Sequence, residues 1–353
     1  MNIRSYRGSY DVYFTSVPEL IEKMTALKNT YVIVDKNVFD LYEKDMNGLF
    51  GDKIHIFDAV EDNKTMDSAR IIIEKIAALD SRKETNIIAI GGGITQDVSC
   101  FVASILYRGV NWHFVPTTLL AQTDSCIGSK SSLNLIPYKN LLGTFYPPKQ
   151  IFICMDLLKT LPDKEYYSGL GEIAKCALLG GKEDIIEFSN NLGEVLKRNY
   201  EVLQHEIERT LTYKKGLIEV DEFDMGVRNL LNFGHTFGHA IESASKYKVP
   251  HGQAVSIGLL IANNVSLQRG FITDEYNSFV LGNVAKILSR EMIREEFFDP
   301  LKVLPYMKKD KKYQGRHNCI LLDANGANKY PVSETEIGSA LLRTYRSLIG
   351  SDI

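Results

Sequence analysis

Apolar residues in the first 150 or so positions fall into short β-branched runs: YVIV at 31–34, NIIAI at 86–90, HFVPTT at 113–118 and QIFICMD at 150–156. Stretches with helical spacing, such as MDSARIIIEKIAALDS, lie between them. Strands alternating with helices predict a parallel α/β sheet. After TLPDKEYYSGLGE the strand signal fades, and long helical patterns run to the C-terminus. The pattern therefore predicts an α/β domain over residues 1–160 with a mostly parallel sheet, and a mostly α-helical domain over 161–353. No internal repeat or low-complexity segment interrupts either half.

A length of 353 residues agrees with two domains, being long for one core. The formal net charge of -3 lacks the basic excess of a general nucleic-acid binder, which leaves small molecules as the expected partners. The five cysteines are scattered and never form a Cys-x-x-Cys pair, so they fit a reducing compartment better than a disulfide framework or zinc ribbon. MNIRSYRGSYDVYF has no long apolar stretch after its basic residues and does not read as a secretory signal. No apolar run approaches the roughly 18 residues that a membrane helix needs. A cytoplasmic protein is expected.

IIAIGGGITQDVSC sets Gly91, Gly92 and Gly93 between a strand and a helix, where backbone N–H groups can approach a phosphate at the helix N-terminus. Glycines at such a turn also serve geometry alone, and the spacing is not G-x-G-x-x-G. Asp35 closes YVIVD, where a carboxylate can accept ribose hydroxyls. It precedes the glycines, the reverse of the usual dinucleotide order, so the site expected is Rossmann-like rather than standard. CIGSKSS is not a P-loop, because Ser129 separates Gly128 from Lys130 and the upstream glycine is missing.

RNLLNFGHTFGHAIESASKYKVPHGQAV carries three of the seven histidines, each beside a glycine. His235 and His239 are four apart, which on a helix puts both on one face. His251 follows a proline and is expected where a loop enters the next apolar run. The cluster suits metal binding or acid/base chemistry, although a single histidine on an apolar helix is more often a hydrogen-bonded core residue. Spacing alone nominates His235 and His239 as paired ligands. The intervening Thr236, Phe237 and Gly238 supply no glutamate base, which argues against a metalloprotease. Glu172, in SGLGEIAKCALL, has Lys175 three residues on; a surface pair is the plain reading. Its small apolar flanks point it inward instead, and a buried carboxylate needs a cation.

EDNK, GGGITQDV, LYRGV, VPTTLLAQTDSCIGSKSSLN, KNLLGTFYPP, GLGEIAK, VRNLLNFGHTFGHAIE, HGQAV and DKKYQG occur in the order of dehydroquinate synthase, within the sugar phosphate cyclases. The chain resembles that family from about residue 31 to 320. The resemblance implies a two-domain enzyme using NAD and a divalent metal, usually zinc with cobalt as the alternative, and acting as a homodimer. It implies Glu172, His235 and His251 as metal ligands, which displaces the pairing that spacing nominates, and turns His239 to the substrate and its phosphate. It further implies Lys130, Asn140, Lys175, Lys214, Arg228, Asn232 and Lys311 around the substrate, Asp124 as a neighbouring acid, and Arg108 reaching across the dimer. For NAD it implies Asp35, Asn37, Glu61, Lys64, Gly92, Gly93, Asp97, Thr117, Thr118 and Lys139. Without it, KKDKK at 308–312 reads as a solvated basic face.

The implied reaction is a phosphate-eliminating cyclisation in the shikimate pathway of aromatic amino acid biosynthesis. A metal lowers the pKa of a substrate hydroxyl, NAD takes and later returns hydride, phosphate leaves, and ring opening with aldol closure gives a carbocycle. Arg228 and Lys214 favour a substrate bearing a carboxylate, since a guanidinium can pair one bidentately. Three positions depart from the family pattern: Ser129 and Tyr138 stand where glycines are expected, and Gln253 where glutamate is common. They keep open a relative acting on another sugar phosphate, such as 2-deoxy-scyllo-inosose synthase. A glycerol-dehydrogenase-type alcohol dehydrogenase would not need the lysine set, and a scaffold without activity would not need all three metal ligands.

Overall fold

The computed structural model describes residues 1–79, 82–136, 138–308 and 317–350. Two compact units divide the chain, one of Met1–Leu161 with Lys215–Phe223 and the other of Pro162–Lys214 with Asp224–Ile353.

The first unit is built on β1 (Asn2–Ile3), β2 (Tyr10–Phe14), β3 (Thr30–Asp35), β4 (Ile54–Phe57), β5 (Asn86–Gly91), β6 (Asn111–Pro116), the hairpin β7 (Leu133–Leu135) and β8 (Tyr138–Leu142), and β9 (Gln150–Ile153). Between them run α1 (Val17–Thr25), α2 (Lys36–Phe50), α3 (Met66–Ala78) and α4 (Gly93–Ile105). Seven strands form one sheet in the order β1-β2-β9-β6-β5-β3-β4, every pair parallel except β1 with β2. The central runs are apolar at successive positions because both faces are covered: Val32, Ile33 and Val34 of β3, Ile87, Ile88 and Ala89 of β5 and Phe114 and Val115 of β6 are all buried. The expected parallel α/β sheet is thus present, with β3, β5, β6 and β9 at the four predicted runs. β2 and β4 escaped the reading; they are short, and β4 is only half-buried.

This unit also takes in Lys215–Phe223 from beyond the predicted boundary. Glu222 holds that segment in place, accepting hydrogen bonds from Ser5 Oγ at 2.6 Å, Tyr6 N at 2.8 Å and Ser129 Oγ at 3.0 Å.

The second unit is largely helical: α5 (Asp163–Gly180), α6 (Lys182–Leu196), most of α7 (Tyr200–Val220), α8 (His235–Ala244), α9 (His251–Gln268), α10 (Asp274–Val284), α11 (Pro300–Met307) and α12 (Glu334–Ile349). An antiparallel hairpin, β10 (His317–Asp323) with β11 (Gly326–Val332), interrupts the helices where none was expected. α9 is buried on every side from Gly252 to Ser266 and forms the centre against which α5, α8, α10 and α12 pack. His251 is its first residue rather than part of a loop. No helix among the described residues is long and apolar enough to cross a membrane.

Candidate metal and nucleotide sites

α5, α8 and α9 approach one another through glycines. A Cβ on Gly171 would overlap the Gly252 carbonyl, one on Gly252 that of Ser168, and one on Gly258 that of Gly234. Each of these contacts stands next to a polar side chain: Gly171 precedes Glu172, Gly234 precedes His235, and Gly252 follows His251. Backbones this close let three short or medium side chains from different helices meet.

They meet on one oxygen. His235 Nε2 lies 3.6 Å and His251 Nε2 3.5 Å from Glu172 Oε1, and the three donor atoms fall within 4.8 Å of one another. The other nitrogen of each ring is committed: His235 Nδ1 donates to the Phe233 carbonyl at 3.2 Å, and His251 Nδ1 to Glu242 Oε2 at 3.2 Å. Nε2 of each ring is thereby turned toward Glu172, and in the neutral form of each ring its lone pair is the one left for a metal. Tetrahedral zinc, with ligands at about 2.0–2.2 Å, sets its donors roughly 3.3–3.5 Å apart, close to the spacing found.

Glu172 is wholly buried, and neither carboxylate oxygen accepts a well-formed hydrogen bond. Lys175, one turn on and equally buried, forms an ion pair with it. Burial works to raise the Glu172 pKa, but Lys175, His251 and His235 outweigh it and hold the group well below the usual carboxylate range. His235 is pushed well below 6.5 by burial and by Lys175. His251 goes the other way, to about 10: burial opposes its charge, and Glu172 and Glu242 more than offset that. A buried carboxylate whose Oε1 accepts no hydrogen bond from the protein backbone and is faced by two preoriented imidazoles fits a divalent cation.

His239 is exposed, with its ring 5.3 Å from that of His235 and 5.7 Å from that of His251. Its spacing to His235 does not make the two a ligand pair, because only His235 faces Glu172. His239, Glu242 and His251 form an overlapping donor group, but it is more exposed, and Glu242 already holds His251 Nδ1. In the same unit Lys214 and Arg228 are buried and Asn232 is half-buried. Lys311 lies outside the described residues.

In the first unit, β3 leads outward to β4 while β5 leads the other way to β6, so the carboxyl ends of β3 and β5 flank a topological switch point. Asp35 ends one strand and Gly91 the other, and a Cβ on Gly91 would stand 3.1 Å from that of Asp35. The inverted sequence order is therefore no obstacle to their meeting. Asp35 caps α2 by accepting from Asn37 N at 2.8 Å, and burial raises its pKa. Gly92 is the N-cap of α4 with no side-chain cap, which leaves the first N–H groups for an anion. Thr117 N donates to the Gly91 carbonyl at 3.0 Å, and a Cβ on Gly92 would come within 3.1 Å of Thr118.

The remaining nucleotide candidates are linked nearby. Lys64 Nζ donates to Asp97 Oδ2 at 2.7 Å, and burial raises the Asp97 pKa despite that partner. Lys139 Nζ is 3.6 Å from Glu61 Oε1, and Asn134 bridges Glu61 to the Asn140 N–H. Lys130 and Arg108 are exposed, and Asp124 sits on a π-helical turn over Ala121–Ser125.

Sequence reasoning missed Glu242 and Glu222. Glu242 lies seven residues after His235 on the same helix face, a signal that was there to read. Glu222 carries none, yet it explains a departure: Ser129 adopts a left-handed φ of 66°, which favours glycine, and its hydroxyl is tied to Glu222. Tyr138 is exposed on β8.

An α/β unit with a switch-point crevice and a helical unit with a Glu–His–His donor group define a metal- and nucleotide-type enzyme. Its fold matches 2-epi-5-epi-valiolone synthase from Streptomyces hygroscopicus subsp. jinggangensis 5008, solved with NAD+ and Zn2+ bound, at a TM-score of 0.84 and 24% identity over 96% of this chain and 97% of that one. It also matches 2-deoxy-scyllo-inosose synthase complexed with carbaglucose-6-phosphate, NAD+ and Co2+, at 0.82 and 23% over 97% and 98%. The sequence is more specific. The N-terminal family model of 3-dehydroquinate synthase matches residues 54–168 and the C-terminal one residues 169–313. The 3-dehydroquinate synthase of Alkaliphilus oremlandii (strain OhILAs) is 37% identical over 309 residues, 86% of this chain and 84% of its own. The chain belongs to the 3-dehydroquinate synthase family.

Proposed function

We propose that this enzyme converts 3-deoxy-D-arabino-heptulosonate 7-phosphate to 3-dehydroquinate and phosphate, using NAD and a divalent metal. The observation that carries the reading is the convergence of two preoriented Nε2 atoms on the buried Glu172 Oε1 in a chain of this family. Glu172, His235 and His251 would hold zinc or cobalt, which when bound supplies a Lewis acid for a substrate hydroxyl. Asp35 would take the ribose, and the N-terminus of α4, with Gly92 and Gly93, the pyrophosphate of NAD. Asn37, Glu61, Lys64, Asp97, Thr117, Thr118 and Lys139 complete that assignment.

Arg228 is the residue that selects an acid substrate. Its guanidinium is buried, where a bidentate pairing with a substrate carboxylate is strong. Lys130, Asn140, Lys175, Lys214, Asn232 and Lys311 surround the substrate in this reading, His239 binds its phosphate, and Asp124 lies beside them. Arg108 serves the neighbouring subunit of a cytoplasmic homodimer, whose mass light scattering would measure.

The test is phosphate release with NAD and zinc from 3-deoxy-D-arabino-heptulosonate 7-phosphate, glucose 6-phosphate and sedoheptulose 7-phosphate. Release from the first alone is expected, abolished by a chelator. Arg228→Ala should lower kcat/KM by roughly 10- to 150-fold, the worth of about 1.5–3 kcal/mol for a hydrogen bond to a charged group. Release only from an uncharged-headed sugar would overturn the substrate, and steady NADH accumulation with simple alcohols would overturn the reaction class.

A further inference from the structure

The first turn of α9 carries His251, yet it has no cap of its own: Pro250 is the N-cap and offers no side-chain acceptor. Its order comes from other segments. Gly252 N donates to Ser168 Oγ at 3.0 Å. The next residue, Gln253, is 1% exposed and spends its whole amide on backbone: Nε2 donates to the Tyr167 carbonyl at 3.2 Å and the Ile287 carbonyl at 2.7 Å, and Oε1 accepts from Ser289 N at 2.9 Å. One side chain thus ties the start of α9 to α5, five residues before Glu172, and to the 287–289 segment on the other side.

The residue type matters as much as the contacts. Gln253 occupies the third helical position, where the helix dipole favours an acid. A glutamate of the same shape would turn a carboxylate oxygen toward two carbonyls and lose both donors. An amide here, against the local electrostatic preference, meets a demand for two N–H groups at that place.

We propose that Gln253 is a positioning residue for the metal centre, holding the first turn of α9 so that His251 Nε2 stays on Glu172 Oε1. The inference rests on the metal reading above and adds a residue that does not itself reach the donor group. Misplacing a ligand by a fraction of an ångström weakens the metal without removing any donor.

The test uses the metal-stripped full-length chain. Zinc dissociation constants come from competition with a chromophoric chelator, and the visible spectrum of the cobalt-loaded protein reports ligand geometry. Gln253→Glu and Gln253→Leu should each raise the zinc constant by about 10-fold or more, the scale of partners that orient ligands, and shift the cobalt bands. Asn264→Ala, also on α9, breaks a buried 2.9 Å bond to Thr344 of α12 and serves as a control for general destabilisation. It should leave affinity and spectrum unchanged. Wild-type binding and spectra in the Gln253 variants, or equal losses in the control, would overturn the proposal.

A second readout needs no variant. Zinc should slow hydrogen exchange at Ser289, whose N–H is held by Gln253, and an unchanged rate there would overturn the proposal as well. A wild-type chain that takes up no zinc removes the metal reading and this inference with it.

Discussion

Glu172 and Lys175 are a buried ion pair one turn apart, so the stability each confers depends on the other. Removing one charge of such a pair typically costs about 3–5 kcal/mol, because the survivor stays buried without its counterion. Glu172→Gln should therefore lower the melting temperature of the metal-free protein sharply and abolish zinc uptake. The double variant Glu172→Gln with Lys175→Met should regain most of the stability and none of the zinc. Calorimetry with metal analysis checks both; zinc retained in either variant would remove Glu172 from the donor group. The burial of Glu172 was legible from its small apolar flanks. The commitment of Nδ1 in both histidines was not, since one partner is a backbone carbonyl and the other, Glu242, faces His251 only because α8 and α9 cross there.

At the scale of elements, the glycine crossings set how near the ligands come. Gly252→Ala would drive a methyl group into the Ser168 carbonyl, which neither helix can yield without separating Glu172 from His251. It should cost at least the 1–3 kcal/mol typical of overpacking, and zinc affinity should fall with stability. Gly193 is the counter-case: it is exposed within α6 with nothing within 4 Å of a Cβ, so Gly193→Ala should stabilise by about 0.5–1 kcal/mol and leave zinc binding untouched. Denaturant midpoints of the two variants, moving in opposite directions, would separate crossing glycines from incidental ones. Continuous apolar runs made β3, β5, β6 and β9 readable. β10 and β11 were hidden because their signal, a turn at Asp323–Gly326 between short runs, is local and their surroundings read as helix. Asp35 and Gly91 illustrate a different limit, in that strand order decides their meeting and sequence order cannot show it.

For the molecule as a whole, acid stability should be set in good part by two histidines that the proposed chemistry does not use. His55 and His113 are buried in the first unit and pushed down from 6.5 to about 4, in both cases chiefly by burial, with Lys75 adding to the effect at His55 and Lys149 at His113. Between those values the unfolded chain binds protons that the folded one refuses. Stability is then fully present above about pH 6.5 and is lost as the pH falls toward 4, on the order of 3 kcal/mol for each group. Asp35 and Asp97, raised by burial, act in the opposite sense, since protonation relieves them. A variant comparison isolates the histidine. Trp112, the sole tryptophan, adjoins His113 on β6 and is 1% exposed, so its emission follows the unfolding of this unit. Urea midpoints read from Trp112 should fall between about pH 7.5 and about pH 5 in the wild type, and fall less in His113→Asn, whose amide carries no charge at either pH. Equal slopes in the two proteins would mean that His113 is protonated in the fold, and the acid sensitivity would have to come from His55 or from the second unit.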